Sequence, residues 1–133
     1  MAETHVPADV EELLTEGREM AHLATCRDGR PHVAPIWYYY EDGVVEFVTE
    51  GRKLENIREN PRVSLSIERS ENGHGQWHVV LFGTATVITD MEELWADRTR
   101  LFQRYRGRDP TLEADGEPPE ALVRVEINST YRG

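Results

Sequence analysis

The feature that most restricts this chain is a pair of Asp-Gly dipeptides, Asp28-Gly29 and Asp42-Gly43, set between runs of strand-forming residues. Asp-Gly flanked by apolar or alternating runs is a strong signal for a two-residue hairpin turn. "MAHLATC" (20–26) reads as the strand before the first turn, and "PHVAPIWYYY" (31–40) as its partner. "VVEFVT" (44–49), rich in β-branched and aromatic side chains, follows the second turn. Strands joined this tightly must be antiparallel, because a parallel crossover needs a dozen or more residues. A doubly wound parallel sheet is therefore disfavoured.

The rest of the chain fits around that start. Residues 7–16 open with Pro7, place Val10, Leu13 and Leu14 on one helical face and stop at Gly17. After Gly51 the period changes again. Leu54 and Ile57 lie three apart, and Pro61 predicts that this helix ends near Asn60. "RVSLSIE" (62–68) alternates as a half-buried strand, 69–75 reads as a hairpin loop, and 76–88 as a long strand in which Gly83 marks a bulge. Asp90 and Glu93 form a capping-box pattern for a helix through Tyr105, and a Pro/Gly-rich loop leads to a closing strand at 121–127. The expectation is a mainly β protein, a six-stranded antiparallel barrel with short helices at its ends, in one domain over 1–133.

Composition narrows the partners. A net charge of −10 repels phosphate backbones and anionic lipid headgroups, so nucleic acid and membrane surfaces are not the expected partners. The acidic, lysine-poor balance also fits a chain kept soluble in high salt. One cysteine, Cys26, excludes an intrachain disulfide. The opening "MAETHVPADVEELL" lacks the basic and apolar regions of a secretory signal, and no apolar run approaches membrane-spanning length. A soluble, cytoplasmic protein is expected.

Lys53 is the chain's single lysine; the other 14 of its 15 Lys and Arg residues are arginine. It follows Arg52 at a helix start, directly after Thr49-Glu50-Gly51. A glycine that permits close approach, helix N–H groups carrying the positive dipole end, and two adjacent cations make a plausible anion site. The competing reading is a solvated helix start with Lys53 paired to a neighbour such as Glu50.

The run T-x-G-R-K followed by I-x-E-N-P-R-V-S-L (Thr49 to Leu65) resembles the pyridoxamine 5′-phosphate oxidase-like superfamily, the flavin-binding split β-barrels. "ATCRDGRPHVAPIWYYYEDGVVEFVT" is similar to that family's first three strands. The resemblance covers roughly residues 10–90 well and the remainder loosely. It implies that Arg52 and Lys53 bind the phosphate of flavin mononucleotide (FMN), that Val48 and Thr49 contact its ribityl and phosphate region, and that His32, Val33, Ala34 and Pro35 run beside the ring. His78 would touch the cofactor from the fifth strand, with Gln76 as its competitor. The resemblance further implies a homodimer with the cofactor at the subunit interface, and hydride transfer to or from a small-molecule substrate. The oxidases proper carry a C-terminal Trp/Arg/His segment that completes their substrate site, whereas this sequence ends at "INSTYRG". Vitamin B6 oxidation is accordingly not the expectation. The chain looks more like relatives that use FMN or, alternatively, the deazaflavin coenzyme. A non-catalytic flavin carrier or sensor is the other reading.

No residue stands out as a catalytic acid or base, which suits chemistry done by a cofactor. His74 and His78 lie four apart but have no third ligand at a recognisable spacing, so no metal is expected. Cys26 reads as a small packed side chain, and Ser64, Ser66 and Ser70 lack a nucleophile-elbow context. The Trp37–Tyr40 cluster reads as core or dimer packing. The arginines of "DRTRLFQRYRGR" (97–108) read as the wet face of the last long helix.

Overall fold

The computed structural model describes residues 5–133; the extreme N-terminus on which the absence of a signal was partly argued lies outside them. Left-handed backbone at three dipeptides builds the hairpins. Asp28 and Gly29 have φ 51° and 74°, Asp42 and Gly43 have 46° and 80°, and Asn72 and Gly73 have 49° and 79°. Positive φ at both central residues turns the chain with the twist of the flanking strands. The first joins β1 (Ala21–Arg27) to β2 (Arg30–Ile36), the second β3 (Tyr39–Glu41) to β4 (Val44–Thr49), and the third β5 (Arg62–Glu71) to β6 (His74–Ile88). With β7 (Ala121–Arg132) they form one sheet in the order β2-β1-β5-β6-β7-β4-β3, and every adjacent pair is antiparallel.

The edge strands β2 and β3 are separated in sequence by Trp37 and Tyr38 alone. Two residues span little, so the sheet must curl until its edges meet at that corner without pairing. This is a split barrel, and it has seven strands where the sequence suggests six. The difference lies in "PHVAPIWYYY", which breaks at Trp37-Tyr38. Tyr38 N–H there donates to the Tyr105 hydroxyl (3.2 Å) on α3 (Met91–Arg106) instead of to a strand, and Trp37 stacks on the Tyr105 ring at 4.9 Å.

Residues 69–75 are also strand for the most part, because Asn72-Gly73 supports a tighter turn than the expected loop. Gly83 does mark a bulge. The β6–β7 register shifts between Phe82 and Gly83, and a Cβ on Gly83 would lie 2.5 Å from the Glu126 carbonyl oxygen.

The barrel interior is filled by alternating residues such as Leu23, Phe47, Leu65, Leu81 and Val123. Helix α1 (Ala8–Glu16) adds Val10 and Leu14, and α2 (Arg52–Glu59) adds Leu54 and Ile57. Each such side chain contributes about 1.5–3 kcal/mol on burial. Helix α3 is not held by a simple apolar face. Arg104 donates to the Leu14 and Thr15 carbonyls at the end of α1 and lies over the Tyr38 ring. Arg98 is buried, donates to the Asp115 and Gly116 carbonyls at the end of α4 (Leu112–Asp115), and faces Trp95 and Phe102. These two arginines correct the wet-face reading of 97–108. Each satisfies backbone carbonyls that an aliphatic side chain could not.

Candidate functional site: a basic cleft at the start of helix α2

Helix α2 begins where Gly51, at φ 71°, turns the chain out of β4. The N-cap provides no side-chain acceptor, so the first N–H groups of the helix are left for another partner. The helix ends at Asn60, where Pro61 follows. Three contacts fix its position under the β1–β2 hairpin. Asn56 Nδ2 donates to Thr25 Oγ1 (3.0 Å, buried), and Arg27 reaches Glu55 (3.9 Å) and Glu59 (3.3 Å). Thr25 and Arg27 are two apart on β1 and so share a face, the one turned toward α2.

Between the helix and the hairpin lies a cleft of about 460 Å³. Arg27, Arg30, His32 and Arg52 line it with Pro31 and Asn56, against the two carboxylates Asp28 and Glu55. Arg30 and His32 sit opposite Arg27 and Thr25 in register and thus face the same way. His32 Nδ1 is buried without a hydrogen-bond partner. Among the described residues, no ion pair or side-chain hydrogen bond engages Arg30, Arg52 or Lys53. A cleft that gathers free guanidinium groups, an orphaned imidazole nitrogen and unsatisfied helix N–H groups suits an anionic ligand.

The residues singled out from sequence divide as follows. Arg52 and His32 meet at the cleft, and half-buried Lys53 adjoins it as the next residue of α2. Val33 and Pro35 are exposed, whereas Ala34 is half-buried, because the pleat sends alternate residues to opposite faces. Thr49 is buried and Val48 half-buried at the end of β4, two and three residues before Gly51. His78 is elsewhere. It pairs with Glu68 at the far end of the β5–β6 ladder, one rung past the Ala21–Ile67–Val79 row, with its ring 5.9 Å from Tyr131. Within one chain it does not reach the cleft. Arg27, Arg30 and Asn56 are cleft residues that the sequence reading did not name.

A second groove, about 520 Å³, adjoins the first at Pro31 and runs over the outer sheet face past Cys26, Ser64 and Phe82. Val33 and Phe82 are exposed on this face, among polar side chains that include Arg62, Ser64, Thr84 and Asn128. Among the described residues, no group of three or more His, Cys, Asp or Glu side chains is arranged to hold a metal ion, and no helix is long and apolar enough to cross a membrane.

One charged cluster lies away from both grooves. Glu46 on β4 accepts from Arg124 on β7 (2.6 Å) and from Arg100 on α3 (3.3 Å), and Arg100 also reaches Asp97 (3.4 Å). Asp97 is fully buried, and its Oδ2 has no partner. Burial, reinforced by the neighbouring Glu46 charge, pushes its carboxyl up to about 7.

An antiparallel split barrel with a cationic, anion-suited cleft at a helix start is the class of protein that fold and site define. The family model described as pyridoxamine 5′-phosphate oxidase matches residues 7–132, and the chain belongs to that family. An uncharacterised protein of Rhizobium meliloti is 36% identical over 64 residues, a stretch covering 47% of this chain and 42% of that protein. Among solved structures, an F420 reductase superposes with a TM-score of 0.72 at 26% identity, covering 90% of this chain and 94% of the other. An FAD-binding protein from Mesorhizobium loti gives 0.70 at 26% identity, covering 96% and 94%.

Proposed function

We propose that this chain is an oxidoreductase that anchors a flavin-type cofactor by its phosphate at the start of α2, with FMN and the deazaflavin coenzyme as the two candidates. The observation that carries this reading is the set of free cations, Arg52 and Lys53, on an uncapped helix N-terminus at the mouth of a ligand-sized cleft. The F420 reductase and the FAD-binding protein, similar over nearly the whole chain, support a cofactor of this chemistry.

In this reading Arg52 grips phosphate oxygens with its planar fork, Lys53 adds a compact charge, and the first N–H groups of α2 complete the cradle. Gly51 lets backbone approach the phosphate, and Val48 and Thr49 support the sugar-like chain that leads away from it. The β2 backbone from His32 to Pro35 forms the ledge along which the ring lies. His32 Nδ1, left without a partner, is available to hydrogen-bond the ligand. The bound ring supplies hydride transfer, and the protein positions it and keeps water from it.

The same reading takes residues 1–133 as one cofactor-binding domain acting in the cytoplasm as a homodimer. The outer sheet face, where Val33 and Phe82 are exposed, is the surface a second copy would cover. In that dimer His78 would meet the partner's cofactor and not that of its own cleft. The alternative, a carrier or sensor that binds without turnover, needs the same cations.

The test is the spectrum of the purified protein, followed by titration with FMN and with the deazaflavin coenzyme. Binding of either, and bleaching or recolouring of the bound cofactor by redox partners, is expected. A protein that is colourless and binds neither would overturn the proposal. Binding without any redox turnover would leave the carrier.

A further inference from the structure

The cleft holds more free positive charge than one phosphate group requires. Arg52 and Lys53 suffice for a phosphate at the start of α2, yet Arg30 also lines the cleft without a carboxylate partner. Its placement is enforced by the backbone. The left-handed pair Asp28-Gly29 sets Arg30 directly opposite Arg27 in the hairpin register. Like charges in facing positions destabilise a strand pair. Arg27 is relieved by Asp28, Glu55 and Glu59; Arg30 is not. Two residues along, on the same face, His32 Nδ1 is buried and equally unpartnered. The cleft, at about 460 Å³, is sized for an extended organic ligand and not for a lone ion.

We infer that Arg30 reads a second anionic group on the cofactor, beyond the phosphate held by Arg52 and Lys53. This rests on the phosphate reading above and refines it. A flavin that ends at its phosphate monoester brings nothing to Arg30. A cofactor that continues through a further acidic group does, whether that group is the second phosphate of a flavin dinucleotide or a carboxylate beyond the phosphodiester of the deazaflavin coenzyme. The shared chemistry is an anion adjoining the first phosphate. Arg30 is then a specificity-determining residue, and its role is to favour longer cofactors over FMN.

The experiment measures dissociation constants of FMN, FAD and the deazaflavin coenzyme by fluorescence titration, with inorganic phosphate and pyrophosphate as competitors. It compares the wild-type chain with Arg30→Gln, Arg30→Lys and Arg52→Gln. Arg30→Gln should weaken pyrophosphate and one two-anion cofactor by about tenfold or more, the loss of one charge-assisted contact. FMN and phosphate should change by less than about twofold, and Arg30→Lys should recover much of the loss. Which of FAD and the deazaflavin coenzyme is weakened identifies the source of the second anion. Equal weakening of FMN and FAD would place Arg30 on the first phosphate and overturn the inference. An Arg30→Gln chain unchanged toward every probe, or a wild-type chain that prefers FMN to both longer cofactors, would also overturn it. Arg52→Gln without effect on FMN or phosphate would instead remove the underlying phosphate assignment.

Discussion

Asn56 of α2 donates a 3.0 Å hydrogen bond from Nδ2 to the Thr25 hydroxyl on β1, with both side chains buried. This bond connects the helix that carries Arg52 to the strand whose hairpin carries Arg30, and it is the buried one of the three polar contacts between the two walls of the cleft. Removing one partner strands the other in an apolar setting, which costs about 1–3 kcal/mol. Asn56→Ala should therefore lower stability by that amount in urea titration and also weaken cofactor binding, although Asn56 needs no contact with the phosphate. Thr25→Ser, which keeps the hydroxyl, should behave nearly as wild type. Wild-type stability in Asn56→Ala would show that the bond does not hold the helix.

Lys53→Ala should weaken FMN binding by about 10- to 100-fold, the loss of one charge-assisted contact. Because Arg52 is exposed and Lys53 half-buried, raising salt should weaken the wild-type complex as well, and the salt dependence should be shallower in the variant. Unchanged affinity in Lys53→Ala would return the lysine to an ordinary surface role.

Gly83 sits at the β6–β7 bulge, where a methyl group would collide with the Glu126 carbonyl oxygen and lie 2.6 Å from Val125 Cγ1. Backbone cannot give way as a flexible side chain would. Gly83→Ala should cost about 1–3 kcal/mol, in the range of overpacked cores. Gly75→Ala, with open space around its Cβ position, is the control and should change little. Equal unfolding midpoints for the two variants would contradict the close approach.

What could be read directly from the sequence was encoded locally. The Asp-Gly turns, the stop at Pro61, the Asp90 cap and the Gly83 bulge each depend on a few adjacent residues, and the structure has them. The break at Trp37-Tyr38 does not, since four consecutive aromatics have the propensity of an uninterrupted strand. It is imposed from 67 residues away by the Tyr105 hydroxyl. Arg98 and Arg104 follow the same logic. Nothing near them in sequence reveals that loop and helix-end carbonyls await them. At the cleft, Arg52 was legible because it follows Gly51 at a helix start. Arg27, Arg30 and Asn56 reach the same cleft only through the packing of α2 on the hairpin, which no spacing encodes.

Asp97 gives the chain a pH dependence whose direction follows from its environment. Its carboxyl is shifted from 3.8 to about 7 by burial and by the Glu46 charge, with Arg100 only partly compensating. Between those values the folded state holds a proton that the unfolded chain has released. Folding then takes up a proton, so stability falls as pH rises through this window, and the full penalty is present above about 7. The groups facing Asp97 are Glu46 on β4 and Arg100 on α3, while Arg124 on β7 engages Glu46 and lies 3.6 Å from Glu93 on α3. Ionisation of Asp97 thus places a second carboxylate charge beside Glu46 at the contact of α3 with β4, with Arg100 shared between the two. The wild-type melting temperature should drop between pH 5 and pH 8. Asp97→Asn, similar in shape and always neutral, should flatten that drop and be the more stable form at pH 8. A variant whose melting temperature tracks the wild type across the whole range would mean that Asp97 is not the group that titrates.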